Sequence, residues 1–322
     1  MAFKDCFSLN SISVGNSIIE IGKDAFAGCN EMTSVNIANI ASWCKSHFAE
    51  GSNPLYYASN LYLNGSKLTS LQIPNSITEI EKESFAGCTS ISAINIPTNV
   101  DSISSMAFGY CNEVTSITFG PNKAYNIGKD AFIGCNGLQR INISDIASWC
   151  RTHFAEGSNP LLYANVLYNN GTLVEKLVVP NTVTAIEPEV FVGCTSLTSL
   201  EIPATTINIS SLAFMNCSNL SSIEFNDALY NIGENTFTGC NSLTGIHIAN
   251  IASWCKSHFA EGSNPLIYAN ELYLNNDLVS DLHVPETVDC IESEAFSNCM
   301  SILSITIPGT VNFISAGAFR SC

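Results

Sequence analysis

CTSLTSLEIPATTINISSLAFMNC, residues Cys194–Cys217, holds the plan of the whole chain in one line. Leu197, Leu200 and Ile202 follow the first cysteine, Pro203 closes the run, a second apolar pair comes after a short loop, and Ala213-Phe214 leads to the next cysteine. Leu200 and Ile202 alternate with polar residues, which is the period of a short strand with one buried face. Proline has no N–H to continue a ladder, so Pro203 ends that strand, as Pro74, Pro97, Pro180, Pro285 and Pro308 do in other copies. Ile77/Ile80, Val183/Ile186 and Val288/Ile291 repeat the second apolar pair.

The Phe-x-x-Cys pair occurs ten times, from Phe3/Cys6 to Phe319/Cys322. Neighbouring pairs lie 23 or 24 residues apart, except in three steps of 59 residues: Cys29 to Cys88, Cys135 to Cys194 and Cys240 to Cys299. A period in the twenties with regularly placed aliphatics predicts a repeat solenoid. Parallel strands should stack on one face, short turns or helical turns should line the other, and the phenylalanines should ladder through one core. Each copy packs only on its neighbours, so the expectation is a single domain over residues 1–322, with super-repeats at about 29–134, 135–239 and 240–322. Met1–Cys6 and Ala318–Cys322 enter and leave the repeat at the same phase, so the chain reads as a segment cut from a longer protein. End-to-end self-association of such segments is the corollary.

The long steps carry a nearly duplicated insert. Ile40–Leu55, Ile146–Leu161 and Ile251–Leu266 read Ile-Ala-Ser-Trp-Cys-(Lys/Arg)-(Ser/Thr)-His-Phe-Ala-Glu-Gly-Ser-Asn-Pro-Leu. Ile40, Trp43, Cys44, His47 and Phe48 fall at helical spacing, Gly51 stands where a helix would stop, and Asn53-Pro54 turns the chain. A hairpin is expected next, from Leu61-Tyr62-Leu63 through Asn64-Gly65 to Leu71–Pro74, with its second strand taking the place of a repeat strand. That gives three helix-plus-hairpin inserts and twelve stacked strands.

Composition narrows the function. Hydrophobic residues make up 46% and charged residues 12%, enough apolar material for a core and incompatible with disorder. A net charge of −16 repels a phosphate backbone, and no Lys/Arg stripe offsets it, which argues against nucleic acid as a partner. No stretch of 18 apolar residues offers a membrane span. Phosphate-binding glycine loops and Ser-His-Asp sets are missing, so neither a cofactor nor enzymatic activity is expected.

Fourteen cysteines raise the question of disulfides and metals. Ten share one phase of the repeat, which suits small buried thiols stacked rung on rung better than bridges, whose dihedral such parallel side chains meet poorly. Cys44/His47/Glu50, Cys150/His153/Glu156 and Cys255/His258/Glu261 could offer zinc two or three ligands from a helix. A structural site needs four, and copies about 105 residues apart cannot share an ion, so zinc binding through these Cys-x-x-His helices is the remote alternative.

With Ala-Phe-x-x-Cys, Leu-x-x-Ile-x-Ile-Pro and the Trp-Cys insert laid out, the chain resembles the BspA-like leucine-rich repeats, found in surface proteins of bacteria and some parasitic protozoa. The resemblance implies a leucine-rich-repeat right-handed superhelix at the cell surface or secreted. It further implies a non-enzymatic adhesion or binding module for an extracellular ligand such as a matrix or plasma protein, or another cell. A structural spacer displaying another domain is the alternative. The chain departs from the pattern at Phe119-Gly120-Pro121 and Phe225-Asn226-Asp227, where Ile-Pro is replaced.

Candidate contact residues fall in two groups. Outward strand positions supply a polar floor that includes Asn36, Asn95, Asn142, Glu201, Glu224 and His247. Aromatics, which often anchor interfaces, gather at the inserts as Tyr57, Tyr62, Tyr163, Tyr168, Tyr268 and Tyr273, where they would either pack the hairpins or meet a ligand.

Overall fold

A computed structural model describes residues 1–49 and 51–322, which fall into two compact units, Met1–Thr172 and Leu173–Cys322. Each unit is a stack of parallel strands. In the first, Ser11–Val14, Ser34–Ile37 and Asn60–Leu63 form one ladder, and Ser70–Gln72, Ala93–Ile96, Ser116–Phe119, Arg140–Ile143 and Leu167–Asn169 form a second. In the other unit Lys176–Val178, Ser199–Ile202, Ser222–Phe225, Gly245–Ile248 and Leu272–Leu274 stack together, followed by the pair Asp281–His283 and Ser304–Thr306. The solenoid expected from the period is therefore the fold, and the proline-terminated strands lie where the alternation put them.

A second set of two-residue strands runs along another face. Glu79–Ile80, Ser102–Ile103, Asn126–Ile127 and His153–Phe154 pair in parallel, as do Ala185–Ile186, Asn208–Ile209, Asn231–Ile232 and His258–Phe259. Between the two faces lies the core. Ile77, Ile80, Val183, Ile186, Val288 and Ile291 are fully buried, and the phenylalanines stack face to face: Phe85 on Phe108 at 5.4 Å, Phe108 on Phe132 at 5.5 Å, Phe191 on Phe214 at 5.2 Å and Phe214 on Phe237 at 5.7 Å. The turns that carry these rings bond rung to rung, as where Phe85 N–H donates to Ala107 O (2.8 Å) and Phe191 N–H to Ala213 O (2.8 Å).

All fourteen cysteines are free thiols, and the laddered ones do more than fill space. Cys29, Cys111, Cys135, Cys217, Cys240 and Cys322 each aim the sulfur at the carbonyl oxygen of the phenylalanine one copy earlier, at 3.1 to 3.3 Å. A thiol is small enough for the site and still supplies a weak donor. The first cysteine after each long step has no such phenylalanine beside it, and Cys88, Cys194 and Cys299 instead meet the hydroxyls of Ser90, Ser196 and Ser301 at 3.3 to 3.4 Å.

The inserts differ from the expected helix and hairpin. The helix is only Ile40–Cys44, capped by the Asn39 side chain, and His47–Phe48 leaves it to become a short strand paired with Glu20–Ile21. A second short helix, Leu55–Ala58, follows. Stacking of Phe48 into the two-residue ladder outweighs the helical spacing, because it buries the ring (1% exposed) on Trp43 at 5.0 Å. Thus the insert is itself one modified turn of the solenoid. Glu50, one member of the expected zinc triplet, lies outside the described residues.

The hairpin also needs correcting. Its first strand, Asn60–Leu63, is a full parallel rung on Ser34–Ile37, while the returning arm is only Ser66–Lys67, antiparallel to it. Ser70–Gln72 then starts the next ladder. Among the described residues, eight rungs in the first unit and seven in the second replace the expected twelve. The two-residue turn is as expected, with φ of 49° at Asn64 and 81° at Gly65. Asn275 and Asn276 reach the same left-handed region, at 50° and 73°, without a glycine. Where Ile-Pro is lost, Phe119 and Phe225 are buried and lean on the insert tryptophans Trp149 and Trp254, each at 5.2 Å.

Candidate binding face

Register decides which candidate residues meet. Along the first ladder Ser13, Asn36 and Tyr62 face outward on neighbouring rungs, and along the next Gln72, Asn95, Thr118, Asn142 and Tyr168 do. In the second unit the row is Val178, Glu201, Glu224, His247 and Tyr273. Tyr62, Tyr168 and Tyr273 therefore belong to the strand face as well as to the inserts, so the polar floor ends in an aromatic on each of these ladders. The alternation Leu61-Tyr62-Leu63, with a buried and an outward residue in turn, already carried that signal. Tyr57, Tyr163 and Tyr268 lie elsewhere, on the short helices beside the Phe-Cys turns. Tyr163 Oη accepts from the Gly134 N–H at 3.2 Å, and Tyr268 Oη bonds Thr238 Oγ1 at 3.3 Å, so these rings fasten the insert to the turn beneath.

The rows differ in chemistry. In the first unit, Asn36 Oδ1 accepts from the Gly65 N–H at 2.8 Å and so ties the face to the hairpin turn, while Asn142 Nδ2 reaches Thr118 Oγ1 at 3.4 Å. In the second unit the same positions are charged and aromatic. Lys176 Nζ pairs with Glu201 at 3.1 Å, and the His247 ring stacks on Tyr273 with centroids 4.7 Å apart and planes 12° from parallel. Tyr273 Oη donates to Glu271 at 2.8 Å, and that bond holds the phenol's pKa above its ordinary value. Lys176, Glu201, Glu224 and His247 line a depression of about 240 Å³ rimmed by Asn276 of the hairpin turn. Further along, Asp281 accepts from Ser304 and lies 3.0 Å from His283; the serine bond, then the imidazole, keep its carboxyl below the usual range. Glu271, Gly245 and Lys176 were not singled out in the sequence, since only register shows that they adjoin this row.

The Cys-x-x-His pairs do not converge. Cys44 is fully buried and its thiol is pushed up to about 12 by desolvation, whereas His47 is exposed on the short strand beside Glu20. Cys150 and Cys255 are buried in the same way, their thiols also pushed up to about 12, and His153 and His258 are likewise exposed. Among the described residues, no group of three or more His, Cys, Asp or Glu side chains could hold a metal ion. No helix is long and apolar enough to cross a membrane.

Comparison with known proteins fits this geometry. Similar folds include a leucine-rich repeat protein from Bacteroides ovatus, 23% identical over 100% of this chain and 78% of that one, with a TM-score of 0.55. A leucine rich cell surface protein from Faecalibacterium prausnitzii is 20% identical over 94% of this chain and 79% of that one, with a TM-score of 0.42. A leucine-rich repeat protein from Eubacterium ventriosum is 16% identical over 97% and 82%, with a TM-score of 0.41. No curated protein sequence matches. The profile of the BspA type leucine rich repeat region matches in six copies, over residues 1–60, 56–161, 161–271 and 266–322. Those matches run through every rung and Phe-Cys turn described above, and the chain belongs to the BspA-type leucine-rich repeat family.

Proposed function

We propose that the chain is a non-enzymatic binding module, displayed at a cell surface or secreted, that meets an extracellular protein through the outward rows of its strand ladders. Leucine-rich-repeat proteins of this kind bind proteins, and catalysis is not their general role. One observation carries the reading. The inward strand positions stay apolar on nearly every rung, while the outward ones change freely, from Asn36 and Tyr62 through Asn95 and Asn142 to Glu201, Glu224, His247 and Tyr273. A scaffold held constant beneath a varied surface suits recognition, in which several weak contacts act together.

The test is a binding screen of the full chain against matrix proteins, fibrinogen and glycans, beside a variant with shuffled outward residues. Saturable binding lost in the shuffled variant supports the reading. Equal binding by both, or none by either, rejects it and leaves the spacer role.

A further inference from the structure

The second unit's outward row conflicts with the stability of its own sheet. Glu201 and Glu224 stand directly opposite on neighbouring strands, an arrangement that disfavours the pairing through like-charge repulsion. Lys176 neutralises Glu201, but Glu224 is exposed and has no ion-pair partner among the described residues. The corresponding positions of the first unit, Asn95 and Thr118, are neutral, so the strand architecture itself does not call for carboxylates.

A second feature of the row is independent of those charges. Gly245 lies under the Tyr273 ring: a Cβ there would sit 2.9 Å from Tyr273 Cε2, closer than real contacts allow. Arg140 occupies the same place in the first unit. Glycine weakens a strand and marks a close approach, which here is that of the Tyr273 ring edge, while the ring itself stacks on His247. The outcome is an aromatic platform beside an unpaired carboxylate.

Resting on the reading of this face as a binding surface, we propose that Glu224, His247 and Tyr273 seat the arginine side chain of an extended basic peptide segment of the partner. A guanidinium is planar, stacks on aromatic faces and is held by a carboxylate, so one group satisfies both halves of the seat. Successive outward residues stand about 4.8 Å apart along the stack, a spacing suited to a spread organic cation. The chain's charge of −16 favours a basic partner on approach.

The experiment is fluorescence anisotropy of the full chain with a labelled pentapeptide of alternating arginine and alanine, and with its glutamate counterpart, in about 0.15 M salt. The arginine peptide is expected to bind saturably and the glutamate peptide not to bind. Tyr273→Ala and Glu224→Gln should each weaken binding by about three- to tenfold. Tyr273→Phe keeps the ring and should bind like the parent. Glu113→Gln, exposed and in the other unit, should change nothing. Equal weakening by Glu113→Gln would reveal diffuse attraction only and overturn the seat, as would an unsaturable signal or unchanged affinity in Glu224→Gln and Tyr273→Ala. Should the peptide fail while the protein screen still responds to the shuffled face, this inference falls and the binding function stands.

Discussion

Trp43 donates its indole N–H to the carbonyl oxygen of Ser84 at 2.7 Å, and Trp254 does the same to Ala295. Ser84 and Ala295 immediately precede Phe85 and Phe296. In ordinary rungs the carbonyl at that position accepts from the amide of a phenylalanine one copy earlier, as Ala107 O does from Phe85. The tryptophan thus takes over a backbone role where the insert has no Phe-Cys turn to offer. Asn53 and Asn264 assist, each donating to the same turn. Trp43→Phe keeps the aromatic ring and removes the donor, so it should cost about 1–3 kcal/mol for the weakened satisfaction of a buried carbonyl. Hydrogen exchange would show faster opening at Glu83–Cys88 than at Ile103–Cys111; equal rates would contradict the assignment.

Phe108 is sandwiched between Phe85 and Phe132, so Phe108→Ala should destabilise by about 3–5 kcal/mol. Phe3 stacks on Phe26 alone among the described residues and is 40% exposed. Phe3→Ala should cost clearly less. Urea unfolding of both variants checks the ordering.

Thiol ionisation supplies a pH dependence. Cys44, Cys135, Cys150, Cys240 and Cys255 have thiols pushed up from 9.0 to about 12 by desolvation. The unfolded chain loses these protons above pH 9 while the folded one keeps them, so stability is full below pH 9 and falls between pH 9 and 12. The slope is at most about 1.4 kcal/mol per pH unit for each such thiol. Urea midpoints across that window measure it, and a flat profile would refute it. At pH 8 a thiol reagent should reach the exposed Cys6 and Cys322 well before any of these five.

The third hairpin invites a stabilising change. Asn276 holds φ of 73° where the first copy has Gly65 at 81°, so Asn276→Gly should add about 0.5–1 kcal/mol if the turn's left-handed strain is relieved. Thermal unfolding checks this, and a midpoint below the parent's would refute it.

Apolar residues are exposed at the first rungs, with Phe7 at 60% and Ile19 at 81%, and at the last, with Leu303 at 84% and Phe313 at 62%. The 322-residue chain by itself should self-associate through these surfaces. Sedimentation showing a monomer at every concentration would exclude it.

Much of the fold could be read from residue spacing because each rung repeats the same local demands: a buried Leu-x-Ile pair, a proline that stops the ladder, a phenylalanine and a small thiol. The insert resisted reading for a physical reason. Ile40, Trp43, Cys44, His47 and Phe48 satisfy helical spacing, yet only neighbours far along the chain, Glu20 and Ile21, draw His47 and Phe48 into a strand. The face was half legible. Outward residues followed from alternation, but the adjacency of Tyr273 to His247, and of Gly245 to both, depends on register set by a hairpin whose returning arm is two residues long.

That brief arm has a mechanical meaning. Ser66–Lys67 runs against Asn60–Leu63 and seals the edge of the first ladder, and the next ladder begins afresh at Ser70. Where Asn60–Leu63 and Ser70–Gln72 share no strand edge, the insert supplies the join, with Glu81 N–H on Cys44 O at 3.0 Å and the Trp43 indole on Ser84 O at 2.7 Å, so the two ladders are spliced by separate bonds instead of one continuous sheet.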